Sequence, residues 1–146
     1  MGGERRSEAC AAPAGRASKR SARVESSTKK RILIVEDDEG TRSLLALLLA
    51  DDYEVAAASD GRSGMEAVIS QRPDVVVLDL MLPKMGGYEI CKIIKSSEDL
   101  RHTSVVIISA RARAADQIRG MQEGADAYIT KPFRNQEVRG TIERVL

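Results

Sequence analysis

From Arg31 onward, five short runs of β-branched and aliphatic residues recur, each followed by a turn and then by a stretch with helical spacing. The runs cover 32–35, 53–57, 75–78, 105–108 and 127–129. Helical spacing covers about 41–50, 62–71, 87–96, 114–123 and 136–146. This alternation constrains the fold more than any other feature. Strands joined through helices run parallel, and right-handed crossovers cover both faces of their sheet. Val75-Val76-Val77-Leu78 and Val105-Val106-Ile107-Ile108 show no polar alternation, as central strands buried on both faces require. The fold class is therefore α/β: a doubly wound (βα)5 unit with a five-stranded parallel sheet inside a three-layer sandwich. The helical stripes assigned to the core are Leu44, Leu45, Leu48 and Leu49; Met65, Val68 and Ile69; Ile90, Ile93 and Ile94; Ile118 and Met121; and Val138, Ile142 and Val145. Gly124 follows a helix, where glycine closes the last turn. The chain shows neither an internal repeat nor a second domain.

Chemistry concentrates where these strands end. The first runs into Glu36-Asp37-Asp38, the third into Asp79, the fourth into Ser109 and the fifth into Lys131-Pro132. In open α/β sheets, the carboxyl ends of the strands are where ligands bind. Clustered acids, a lone acid, a hydroxyl and an amine together suit a divalent metal and a phosphoryl group. Hard cations such as Mg²⁺ take carboxylate oxygens and often bridge to phosphate. Taken singly, each group has a plainer reading. The acidic triplet could be a solvated loop capping the next helix, with Asp38 or Gly40 near its start. Asp79 could cap a turn shaped by Pro83, Gly86 and Gly87.

Charge divides the 146 residues in two. Through Arg31 there are nine Lys/Arg against three Asp/Glu, and beyond it fourteen against nineteen. The first 30 or so residues are rich in Gly, Ala, Ser, Arg and Lys, with Val24 the one large aliphatic after Met1. Such a segment buries too little apolar surface to offset chain entropy, so a disordered basic extension is expected, acting as an arm for an acidic partner or as a plain linker. The acidic body with its few aromatics gives no ground for direct nucleic-acid binding. Cys10 and Cys91 lie in unlike contexts and do not make a disulfide framework. No apolar stretch approaches the roughly 20 residues of a membrane span, and no secretory h-region opens the chain. A soluble, cytoplasmic protein is expected.

Four segments then carry a resemblance. They are Ile32-Leu33-Ile34-Val35-Glu36-Asp37-Asp38, Leu78-Asp79-Leu80-Met81-Leu82-Pro83-Lys84-Met85-Gly86-Gly87, Ile108-Ser109-Ala110 and Gly124-Ala125-Asp126-Ala127-Tyr128-Ile129-Thr130-Lys131-Pro132-Phe133. Asp79 lies 42 residues after Asp37, Ser109 lies 30 after Asp79, and Lys131 lies 22 after Ser109. In content, order and spacing they resemble the receiver domain of response regulators in two-component signalling, over residues 31 to 146. The resemblance implies a flavodoxin-like sheet of strand order 2-1-3-4-5. It implies that Asp79 is the phosphoacceptor, taking a phosphoryl group from a sensor histidine kinase, a histidine phosphotransfer protein or acetyl phosphate. Asp37, Asp79 and the main-chain carbonyl of Met81 would ligate Mg²⁺, with Glu36 acting nearby through water. Glu36 stands where the family often has Asp, and the role of Asp38 is open.

By the same resemblance, Lys131 and Ser109 would hold phosphoryl oxygens, consistent with a loose transition state that is stabilised by charge and positioning. A cis peptide would precede Pro132. Ser109 would move toward the phosphoryl group and Tyr128 would turn into the vacated space. That would repack the face of the fourth helix, fifth strand and fifth helix, where a downstream protein binds. Met81 and Arg111, two residues after Asp79 and Ser109, would flank the water path; Met81 cannot orient water and Arg111 can screen the phosphoryl group, so slow self-dephosphorylation is expected. His102, the one histidine, sits in a polar loop and Cys91 among core aliphatics.

The expected protein is a phosphorylation-controlled binding module, not an enzyme acting on other molecules. With the last helix reaching Leu146, no output domain is expected to follow. The alternative is the receiver part of a longer hybrid kinase or effector-bearing regulator. Either could stay monomeric or form a phosphorylation-dependent homodimer. A phosphohydrolase working through an aspartyl-phosphate would need a second acid two residues after its nucleophile, where this chain has Met81.

Overall fold

The strands that end in polar residues lie side by side. The computed structural model describes residues 29–111 and 113–146. The basic extension through residue 28, with Cys10 and Val24, lies outside the described residues. Elements alternate strictly: β1 (Arg31–Val35), α1 (Glu39–Leu49), β2 (Glu54–Ala58), α2 (Gly61–Gln71), β3 (Val75–Asp79), α3 (Gly87–Ser96), β4 (Ser104–Ser109), α4 (Ala114–Gln122), β5 (Ala127–Thr130) and α5 (Asn135–Val145). All pairings are parallel, in the order β2-β1-β3-β4-β5. The expected α/β fold, strand order and three layers are observed.

Period-two alternation splits each strand between two cores. Leu33, Val35, Val76, Leu78, Val105 and Ile107 face α2 and α3, meeting Met65, Val68, Ile90, Cys91 and Ile94. Ile32, Ile34, Val75, Val77, Val106 and Ile108 face α1 and α5, meeting Leu45, Leu48, Leu49, Val138 and Ile142. Burying these side chains is the main favourable term in folding. Local signals set the helix starts. Asp38 caps α1 by accepting from the Thr41 N–H at 2.8 Å, and Asp60 caps α2 through the Ser63 N–H at 2.8 Å. Gly124, at φ 105°, ends α4 in the left-handed conformation expected of a closing glycine.

Several side chains assigned to helical core stripes face solvent instead. Leu44, Ile69, Ile93, Ile118 and Met121 are exposed; Leu47, which lies off the assigned stripe, is 77% exposed. A helix on a sheet makes a narrow contact, so α1 buries only Leu45, Leu48 and Leu49 and leaves its flanking leucines out. α4 is the extreme case. Its one buried residue is Gly120.

Sheet order creates the crevice. From β1 the chain moves outward to β2, then returns across β1 to β3 and continues the other way. The helices after β1 and β3 therefore diverge to opposite faces, leaving a gap at the carboxyl ends of these neighbouring strands. Glu36 and Asp37 follow β1, and Asp79 ends β3.

Candidate functional site

Three carboxyl groups and one amine meet in this gap. Glu36, Asp37 and Asp79 each offer a carboxylate oxygen within 4.8 Å of the others. Glu36 is 2% exposed and Asp79 6%, while Asp37 is open to solvent. Two acids so deeply buried need compensation. Lys131 supplies it from the end of β5, with its Nζ 2.7 Å from Glu36 Oε1 and 3.3 Å from Asp79 Oδ2. The peptide between Lys131 and Pro132 is cis.

Electrostatics follow from this crowding. Burial of the Glu36 carboxyl, opposed by the Lys131 hydrogen bond and reinforced by Asp79 beside it, pushes its pKa up to about 7. Burial works against the charged Lys131 amine, but the hydrogen bond to Glu36 and the charge of Asp79 outweigh it. The Lys131 pKa is consequently raised. The site is thus an incompletely neutralised pocket of oxygen ligands. It suits a hard divalent cation, and the described residues fit Mg²⁺ in donor type and spacing.

Main-chain contacts fix the carboxylates. The Asp38 N–H donates to Glu36 Oε2 at 3.1 Å, and the Met81 N–H donates to Asp79 Oδ1 at 3.2 Å. Arg42, on the first turns of α1, donates from Nη1 to the Glu36 carbonyl at 2.8 Å and thereby braces the acidic loop. Sequence reasoning did not single out Arg42, because no local pattern marks a helix arginine that folds back onto the preceding loop. In the sequence Gly87 reads only as part of a turn. A Cβ there would stand 2.5 Å from the Asp79 carbonyl oxygen and 2.7 Å from Leu80 Cα, so only glycine lets α3 begin so close to the acid.

The hydroxyl and the aromatic lie on the adjacent strands. Ser109 is fully buried at the end of β4, its Oγ accepting from the Arg111 N–H at 3.1 Å. The Lys131 N–H donates to the Ser109 carbonyl at 2.8 Å, locking the ends of β4 and β5 together. Tyr128 is half-buried, and its hydroxyl donates to the Arg111 carbonyl at 2.8 Å. Burial raises the phenol pKa, and the Ser109 hydroxyl pulls the other way. The Met81 side chain is exposed and so is Arg111. His102 is exposed between α3 and β4, at the opposite end of the sheet, and takes no part. Cys91 is buried in the core, as expected.

The family model for the response regulator receiver domain matches residues 32–143, nearly all of the described chain. The chain belongs to the response regulator receiver family. The receiver is 37% identical over 117 residues to the response regulator MprA of Mycolicibacterium vanbaalenii, covering 80% of this chain and 50% of that one. It is 36% identical over 118 residues to the alkaline phosphatase synthesis transcriptional regulatory protein PhoP of Bacillus subtilis, covering 80% and 48%. The receiver thus spans about half the length of these curated relatives. Among solved structures it is similar to the chemotaxis response regulator CheY4 of Vibrio cholerae, with a TM-score of 0.77, 28% identity and coverage of 82% and 100%. Among the described residues, no helix of this receiver is long and apolar enough to cross a membrane.

Proposed function

We propose that this receiver is switched by phosphorylation of Asp79. The observation that carries the reading is the convergence of Glu36, Asp37 and Asp79 with the Lys131 ammonium. A carboxylate oxygen of Asp79 forms the new P–O bond. The P–N bond of a phosphohistidine, or the anhydride P–O bond of acetyl phosphate, breaks, and its electron pair leaves with imidazole or acetate. Lys131 is within reach of Asp79 and stabilises charge developing on the transferred group. Ser109 offers a second donor from the neighbouring strand end. A Mg²⁺ ion held by Asp37, Asp79 and the Met81 carbonyl, with Glu36 close by, would supply the remaining positive charge.

Phosphorylation then biases two packings. The Ser109 hydroxyl turns to the phosphoryl group and releases the Arg111 N–H, while Tyr128 leaves the Arg111 carbonyl and moves inward. The face formed by α4, β5 and α5 changes shape and selects a downstream protein. The phosphodonor partner is a sensor histidine kinase or a histidine phosphotransfer protein, the cellular location is cytoplasmic, and the receiver runs from residue 31 to residue 146 behind a basic extension.

A second reading is favoured by the relatives' lengths: this is the receiver portion of a longer regulator whose other half binds DNA or carries another output. The first test is intact mass after incubation with acetyl phosphate and Mg²⁺. A gain of about 80 Da for the phosphoryl group, absent in Asp79→Ala and lost with EDTA, is the expected result. A gain in Asp79→Ala would place the modification elsewhere.

A further inference from the structure

α4 is the least anchored helix of the receiver. It has nine residues, a length that is marginal for a helix without tertiary support, and its one buried residue is Gly120. Three of its contacts bear on the switch. At Gly120 it lies directly on the Tyr128 ring: a Cβ there would stand 3.0 Å from Tyr128 Cδ2 and 3.1 Å from Ile107 Cδ1. The other two contacts come from one residue of α3. The Tyr88 hydroxyl donates to the Asp116 carbonyl at 2.9 Å, and the Arg119 guanidinium stacks 4.3 Å from the Tyr88 ring centroid. Asp116 also pairs with Arg111 at 3.7 Å, and the Arg111 carbonyl accepts the Tyr128 hydroxyl at 2.8 Å. Tyr88 and Tyr128 therefore grip the same helix and its preceding loop from two sides.

We propose that Tyr88 is a positioning residue for the phosphoryl switch: it clamps α4 in the arrangement in which Tyr128 is bonded to the Arg111 carbonyl, and so sets how readily Asp79 retains a phosphoryl group. This rests on the reading of Asp79 and Tyr128 given above. When Tyr128 turns inward, the Gly120 contact is released, and Tyr88 becomes the tether that resists movement of α4. An element with so little buried surface shifts at small cost, so the loss of one hydrogen bond to it changes the balance between packings. Weakening the tether enriches the competent packing, and apparent affinity rises with its population. The Tyr88 hydroxyl and the Arg119 stack on its ring carry this effect, and Tyr88→Phe removes the first while keeping a ring against the core.

The test uses beryllofluoride, a phosphoryl mimic, titrated calorimetrically in MgCl2 into wild type, Tyr88→Phe and Arg119→Met. ¹H–¹⁵N spectra of the free proteins are recorded alongside. Tyr88→Phe is expected to bind about fivefold tighter, from loss of one neutral hydrogen bond that restrains the inactive packing. Its free Gly120 amide resonance moves along the line from free to saturated wild type. Arg119→Met, whose parent side chain is largely exposed, moves both readings in the same direction. A purely structural role for Tyr88 would lower the melting temperature and move neither reading. Unchanged or weaker binding by Tyr88→Phe overturns the clamp alone. Absence of beryllofluoride binding by wild type overturns the phosphoacceptor reading and the clamp with it.

Discussion

The Lys131 ammonium lies closer to Glu36, at 2.7 Å, than to Asp79, at 3.3 Å. The lysine that neutralises the acid pocket is therefore bound mainly to Glu36 and less closely to Asp79, the proposed phosphoacceptor. On the proposed mechanism this leaves the Asp79 oxygens freer to attack, with the Lys131 ammonium still in reach. Removing Lys131 has two consequences that separate in experiment. Lys131→Met strands two buried carboxylates, and protonation of Glu36 relieves part of the penalty, so unfolding in urea with EDTA shows a loss of about 1–3 kcal/mol. Labelling by acetyl phosphate slows by about a hundredfold, the effect of deleting one preorganised charge. A variant that labels at the wild-type rate would show that Lys131 serves stability alone.

Glu36 makes metal binding pH-dependent. Its pKa is pushed up to about 7 in the folded protein from an ordinary value of 4.5, chiefly because burial disfavours its charge. The sign follows from the raised value. The contribution of Glu36 to metal-free stability is fully present below pH 4.5 and is lost as pH rises through about 7. A divalent cation prefers the deprotonated pocket. Mg²⁺ therefore binds about tenfold more weakly at pH 6 than at pH 8, from competition with one proton. Calorimetric titration at the two pH values measures this, and Glu36→Gln flattens the dependence. Equal affinity in wild type would mean that Glu36 stays ionised throughout.

Cys91 is fully buried on the inner face of α3, and burial pushes its thiol up to about 11. Thiolate is the reactive form, so alkylation by iodoacetamide at pH 8 is slower than for a free thiol by about two orders of magnitude before access is counted. In a Cys10→Ser background the native receiver takes up no label over an hour and one label in urea. Rapid native labelling would reveal opening of the α3 core.

The sheet was legible because its strands are continuous apolar runs, and continuous burial leaves no other reading for Val75–Asp79 or the run through Ile108. The polar strand ends could be named one by one. Their convergence follows only from strand order, which places the ends of β1 and β3 side by side. Side-chain burial on the helices was less legible. Leu44, Ile118 and Met121 have core-like chemistry, yet the face that a helix turns to the sheet depends on how it crosses the strands. Arg42 to the Glu36 carbonyl and Tyr88 to the Asp116 carbonyl were not legible at all. The second spans 28 residues and leaves no periodic trace in the sequence.

If Asp79 is phosphorylated as proposed, Met81 and Arg111, beside Asp79 and Ser109, are expected to set how long the phosphoryl group lasts. Met81 is 58% exposed on the loop after β3 and has no group able to orient a water. Arg111 is turned toward Asp116, with its Nη1 3.7 Å from Oδ1, over the loop that follows Ser109. With neither residue positioning a nucleophilic water, hydrolysis would have no general base from these two positions, and Lys131 and any bound Mg²⁺ would supply charge without orienting the water. The acyl phosphate then decays over on the order of minutes to hours. Met81→Asn, which introduces an amide that can hold a water in line, shortens the lifetime by about tenfold. Decay of the phosphorylated mass after removal of acetyl phosphate reads both values. Loss within seconds in wild type would show that another group of the pocket already activates water, and Glu36, with its pKa near 7, would be the residue to replace next.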